Sequence, residues 1–148
     1  QVVLHAFGQA NRAVGTASGA RSELEGALRL TNEPVVPAYD LDLVGGATSL
    51  RGYREGEFHV ARWAVWRLEY GVYTQQAGRV FAFLDQGVLD RPFLDEAGEA
   101  QSSTLYRAGY GIGIEAPLAI GRLGLMLGYG KGDGPLDGKI HVRLTSRF

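Results

Sequence analysis

Trp63-Ala64-Val65-Trp66-Arg67-Leu68-Glu69-Tyr70-Gly71-Val72-Tyr73 is the stretch that decides the fold. Ala64, Trp66, Leu68, Tyr70 and Val72 make one apolar face, and the other face carries Arg67 and Glu69. Only a period of two separates these sets, since a helical period of 3.6 would mix them. The stretch is therefore a strand with one greasy and one charged face.

The same alternation extends in both directions. Downstream, Arg79–Val88 sets Val80, Ala82, Leu84 and Val88 against Phe81, Phe83, Asp85 and Gly87. Leu105–Ala116 sets Tyr106, Ala108, Tyr110, Ile112 and Ile114 against Arg107, Gly109, Gly111, Gly113 and Glu115. Leu123, Leu125, Leu127 and Tyr129 alternate with Gly124, Met126, Gly128 and Gly130, and Lys139–Phe148 alternates Ile140, Val142, Leu144 and Phe148 with Lys139, His141, Arg143 and Arg147. Upstream, Val2–Asn11, Glu23–Thr31 and Tyr39–Val44 read as strands, with Asp40 and Asp42 sharing a face of the last. Gly15–Arg21, Asn32–Pro37, Gly45–His59, Asp90–Ser103 and Lys131–Gly138 read as loops, and Gln75–Gly78 and Pro117–Gly121 as short turns. The count predicts an all-β chain of eight antiparallel strands forming one domain over residues 1–148.

Composition narrows the function classes. The chain has 148 residues with 15 basic and 16 acidic side chains, a balance that implies no bulk attraction to nucleic acid. It has no cysteine, so thiol chemistry and disulfides are excluded. No apolar run approaches the ~18 residues of a membrane helix, which leaves strands as the only elements that would cross a bilayer. Gln1 starts inside a strand pattern, so the chain reads as mature or as cut from something longer.

The charged face is also the glycine-rich face. Glycine on a solvated surface gains nothing, whereas on a crowded inner face it makes room. A soluble lipid-carrier barrel would reverse the pattern, with an apolar inside and a charged outside. The large apolar faces, with Trp66, Tyr70, Tyr106 and Tyr129 among them, suit a bilayer and its interfaces. The expected architecture is a transmembrane β-barrel with short turns at one end and long loops at the other. Strand parity puts Gly45–His59 on the outer side and Phe148 on the periplasmic side.

Gly45-Gly46-Ala47-Thr48-Ser49-Leu50-Arg51-Gly52-Tyr53-Arg54-Glu55 joins the two halves. It is too glycine-rich for strand or helix interior. Arg51 offers a rigid five-donor fork suited to carboxylates, and in a solvated loop it would meet only water. Leu50-Arg51-Gly52-Tyr53, after Gly45-Gly46, resembles the inward-folded loop of the BamA-type outer-membrane barrel family, which includes assembly factors and two-partner-secretion transporters. Two further pieces follow in the family's order: Glu69 on the next strand, and Phe83-Leu84-Asp85-Gln86-Gly87. Phe148 closes an alternating strand like the C-terminal recognition signal of such barrels. The resemblance runs from about Pro37 to Phe148 and implies that Arg51 meets Glu69 and Asp85 inside the barrel.

The resemblance also implies the bacterial outer membrane of a Gram-negative cell, the lipid bilayer as surroundings, and client outer-membrane or secreted proteins as partners. The family barrel has sixteen strands, so eight correspond to its C-terminal half. The chain is then a fragment, a short relative that closes on itself, or one that pairs with another copy of itself. The alternative function is a small barrel with a structural or anchoring role and no transport.

Other signals carry little. Gly109-x-Gly-x-Gly lies mid-strand with no helix after it. His5, His59 and His141 lack metal-ligand spacing. Asp133-Gly-Pro-Leu-Asp137 reads as a turn. No catalytic arrangement, metal site or cofactor is expected.

Overall fold

The computed structural model describes residues 2–30, 36–75 and 78–146. Its strands are β1 (Val2–Ala13), β2 (Ser18–Leu30), β3 (Asp42–Val44), β4 (Phe58–Val60), β5 (Arg62–Tyr73), β6 (Arg79–Leu94), β7 (Ala100–Leu118), β8 (Gly121–Gly130) and β9 (Lys139–Ser146), with one 3₁₀ turn at Ala38–Asp40. Seven of them form one antiparallel sheet in the order β1-β2-β5-β6-β7-β8-β9, while β3 and β4 pair separately. Among the described residues the sheet is open: β1 and β9 are its two edges and are not hydrogen-bonded to each other.

This corrects the expected eight strands. Tyr39–Val44 is not a strand of the seven-stranded sheet. Residues 38–40 turn, and Asp42–Val44 pairs with Phe58–Val60 as a ribbon inside the long excursion between β2 and β5. Three alternating residues are too few to cross the sheet, and Tyr39 faces outward, well exposed. Asp90–Ser103 is likewise not a loop. β6 and β7 continue as a hairpin, Leu94 opposite Ala100, closed by residues 95–99. The Asp95 carboxylate accepts from the backbone N–H groups of Ala97 and Glu99 in that turn. β5 starts opposite Asp90, so at Pro92 the only strand paired with β6 in the sheet is β7. The Asp95 N–H bonds the Glu99 carbonyl, and by antiparallel alternation the position of Pro92 faces the free edge, where its missing N–H costs nothing.

The β1–β2, β5–β6 and β7–β8 connections lie at one end of the sheet, called the short-turn end; the excursion, the five-residue β6–β7 turn and the β8–β9 loop lie at the other, called the long-loop end. β1 and β9 therefore both run from the long-loop end to the short-turn end. Phe148 and Gln1 fall outside the described residues, as do Thr31 of the expected Glu23–Thr31 strand and residues 32–35 of the expected Asn32–Pro37 turn.

The two faces follow the alternation. On β5, Val65, Arg67, Glu69 and Gly71 are buried while Trp66, Tyr70 and Val72 are exposed, and β6 repeats this with Phe81, Phe83, Asp85 and Gly87 buried against Val80, Leu84 and Val88 exposed. The buried face is covered by the excursion 36–61, and is called inner below. Register places its residues in rows across the strands. One row runs Glu23, Arg67, Asp85, Gly109, Gly130; the next runs Arg21, Glu69, Phe83, Gly111, Gly128. Large or charged side chains on β5 and β6 thus continue into glycines on β7 and β8, a shallow floor on which a loop backbone can lie. β1 has no such cover: His5, Phe7, Gln9 and Asn11, on the inner side by register, are all exposed.

Amide hydrogen exchange reads this difference. The amides of β5–β7 beneath the excursion should exchange at least about a hundredfold more slowly than those of β1, since protection follows burial and local contact. Equal protection across all seven strands would contradict the arrangement.

Candidate functional site

The excursion is built from its glycines and one buried leucine. Gly45 and Gly46 have φ of 125° and 101°, and Gly52 has φ of 90°, values that side-chain-bearing residues rarely adopt. They reverse the chain after β3 and again after Arg51. The Gly45 N–H bonds the Ser49 hydroxyl at 2.8 Å, and the Ala47 N–H bonds the Glu55 carboxylate at 3.2 Å. Leu50 is fully buried with Val44, Tyr53, Val60, Val65 and Leu89. That packing fixes the backbone so that the next side chain, Arg51, is delivered onto the β5–β6 face.

Arg51 is 1 % exposed and Asp85 0 %. The Arg51 Nε donates to Asp85 Oδ2 at 2.8 Å and Nη2 donates to Oδ1 at 2.6 Å, a two-point fork. The Arg51 backbone N–H adds a third bond to Oδ2 at 2.9 Å. Its Nη1 donates to Glu69 Oε1 at 2.5 Å. The guanidinium carbon lies 4.1 Å from the centre of the Phe83 ring, and Phe83 packs with Phe81, Ala47 and Met126. Removing one partner from a buried, hydrogen-bonded pair of this kind costs roughly 3–5 kcal/mol, because the remaining charge is left without water or partner.

The charges continue toward the short-turn end. Arg79 bonds the other oxygen of Glu69, and Arg79 Nε lies 3.7 Å from Glu115. Arg143 Nη2 donates to Glu115 at 2.9 Å. Toward the long-loop end, Arg67 donates through Nη1 to the carbonyls of Thr48 and Ser49 and through Nη2 to Glu23 and Glu25. Arg67, beside Asp85 in the same row, thus ties the loop backbone to β2.

Gly52 and Tyr53 fasten the loop on the glycine floor. The Gly52 N–H donates to His141 Nε2 at 3.1 Å, so that nitrogen carries no proton. The Tyr53 hydroxyl donates to the Ala108 carbonyl at 3.0 Å and accepts from the Lys131 N–H at 3.2 Å. Its ring meets Phe58 edge-on at 5.1 Å. A Cβ at Gly128 would come within 2.9 Å of the Gly52 nitrogen, one at Gly130 within 2.8 Å of the Tyr53 ring, and one at Gly109 would occupy the Arg51 carbonyl. At Gly124 the nearest atom would be 3.6 Å away, an ordinary contact.

Leu50, Arg51, Gly52, Tyr53, Glu69 and Asp85 are therefore all brought together. Phe148 lies outside the described residues. Asp42, on the expected Tyr39–Val44 strand, accepts from the Trp63 indole at 3.0 Å and lies 3.6 Å from Arg29. Arg67 was legible only as an inner-face residue. His141 had no signal beyond its inner parity, since its partner is a backbone N–H 89 residues away in the chain.

The family model described as the Omp85 superfamily domain matches residues 4–148, nearly the whole chain. No curated protein matches it significantly.

The glycine floor yields a paired prediction. Gly109→Ala should lose about 1–3 kcal/mol or fail to fold with the loop seated, because the added methyl displaces the Arg51 backbone. Gly124→Ala should change stability by less than about 0.5 kcal/mol. Unfolding titrations of both variants check this, and equal effects would contradict the seated loop.

Proposed function

The chain belongs to the Omp85 superfamily, and on that premise we propose that it is part of an outer-membrane β-barrel that inserts or translocates proteins. Within the superfamily, the Leu50-Arg51-Gly52-Tyr53 loop with Glu69 and Asp85 favours the BamA-type branch, the chain corresponding to the C-terminal half of its barrel. The setting would be the bacterial outer membrane, with the bilayer and unfolded client proteins as partners. The role is mechanical; no chemical step and no cofactor is assigned to it.

One observation carries the membrane part of this reading. The outer faces of β5–β9 expose Trp66, Tyr70, Leu84, Ile112, Ile140 and Val142 side by side, Ile112 at 62 % and Ile140 at 77 %. Exposed apolar patches larger than a few hundred Å² are rare on soluble monomers. Ion pairs gather on the opposite face, where a barrel keeps water or a plug. The insertion part rests on the loop, whose fastening is far more elaborate than a surface loop requires. The covered inner face also favours a second reading, a structural or anchoring barrel segment without transport, since a seated loop fills space that a passing chain would use.

The protein should be monodisperse only in detergent or lipid. Liposomes carrying it should speed the folding of an added outer-membrane barrel several-fold over empty liposomes. Membrane integration without acceleration would favour the anchoring reading. A monodisperse protein in detergent-free buffer would contradict both.

A further inference from the structure

At the short-turn end, on the inner face beside β1, lies a cavity of about 230 Å³. Its polar walls come from Asn11, Thr16, Ser18, Arg21, Tyr73 and Arg79, with Arg12 also lining it, and among the described residues no acidic side chain does. Every one of these groups is a donor. The Asn11 carbonyl already accepts from Gln9 at 3.3 Å, which leaves its NH₂ to donate. Ser18, Thr16 and Tyr73 contribute hydroxyls.

The two guanidinium groups are under-compensated. Arg79 is 4 % exposed, and its Nε has no hydrogen-bond acceptor, lying 3.7 Å from Glu115. Its Nη2 bonds Glu69, a carboxylate that also serves Arg51. Arg21 reaches the same Glu69 oxygen only at 4.0 Å, and its Nε is buried without a partner. Glu115 is shared with Arg122 and Arg143, so across Arg21, Arg51, Arg79, Arg122 and Arg143 with Glu69, Asp85 and Glu115 five positive charges face three negative ones. A concave, donor-rich pocket backed by two arginines whose Nε groups lack acceptors is a site for an anion, because charge-assisted bonds to guanidinium are the strong ones.

We propose that this cavity binds a phosphate group. The donors arrive from β1, the β1–β2 turn, β2, β5 and β6, so they surround the ligand, and a tetrahedral oxyanion offers oxygens in all those directions where a carboxylate offers two. At about 30 Å³ per water, the volume admits one such ion with several waters. The phosphate is either a free ion or the headgroup of an anionic lipid, and the same donors serve both.

The test uses the intact chain refolded in a phosphate-free maltoside detergent. Inorganic phosphate should raise the melting temperature in a saturable way, beyond sodium chloride of equal ionic strength, as a ligand that binds only the folded state does. Arg21→Gln, which removes a partly exposed group, should weaken apparent affinity at least tenfold, and Ser18→Ala a few-fold. Arg62→Gln, at the long-loop end and paired with Asp90, should leave affinity within twofold. Short-chain phosphatidylglycerol is titrated in parallel. Saturation by it alone, lost in Arg21→Gln, assigns the site to a lipid headgroup; saturation by inorganic phosphate assigns it to the free ion. No saturable shift with either, or equal shifts in wild type and Arg21→Gln, overturns the proposal.

Discussion

One guanidinium group holds the molecule's interior together. Arg51 is removed from water, and its charge is tolerable only because Asp85 takes two of its donors and Glu69 a third. A buried ion pair of this kind gains little net stability over an apolar substitute, but breaking it is costly. Its effect is therefore one of specificity: the loop has one seat, and any other position strands the Asp85 carboxylate on the sheet and takes one of its partners from Glu69.

Much of the rest follows from that seat. For Arg51 to reach β5 and β6, the following residues must cross β7 and β8 at backbone distance. Gly109, Gly128 and Gly130 lie at the places where a side chain would collide with Arg51, Gly52 or Tyr53. Phe81 and Phe83 then pack on the loop and under the arginines instead of facing water. Arg67 bonds loop carbonyls that have no strand to pair with, and His141 takes the Gly52 N–H. The inner face is polar yet largely paired, and the outer face is left free to be apolar. In a protein-insertion barrel such a loop would couple the strands bearing Glu69 and Asp85 to those bearing the glycines, so that the strands move together or the loop leaves.

The legible parts of this fold were those with two unlike faces. β5 and β6 alternate cleanly because one side meets charges and loop, and the other is uniformly apolar. The same parity put Glu69 and Asp85 inward, and the glycine pair with Arg51 marked the loop. Where neither face is buried, alternation has no cause, and the hairpin beyond Asp90 was misread as a loop for that reason. Tyr39–Val44 failed in the opposite way: a short alternating run belonged to a ribbon within the loop and not to the sheet. The bonds from Arg67 and His141 to loop backbone were invisible because a backbone acceptor or donor leaves no mark in the residue string.

A double-mutant cycle on Arg51 and Asp85 tests the central claim most directly. Unfolding free energies of wild type, Arg51→Ala, Asp85→Asn and the double variant are measured in one detergent. A fork buried as described predicts that each single change costs several kcal/mol and that the double costs less than their sum by about 1–3 kcal/mol, the coupling expected of contacting groups. Additivity within about 0.5 kcal/mol would mean that the two residues do not share a bond, and the loop would not be fastened where it lies.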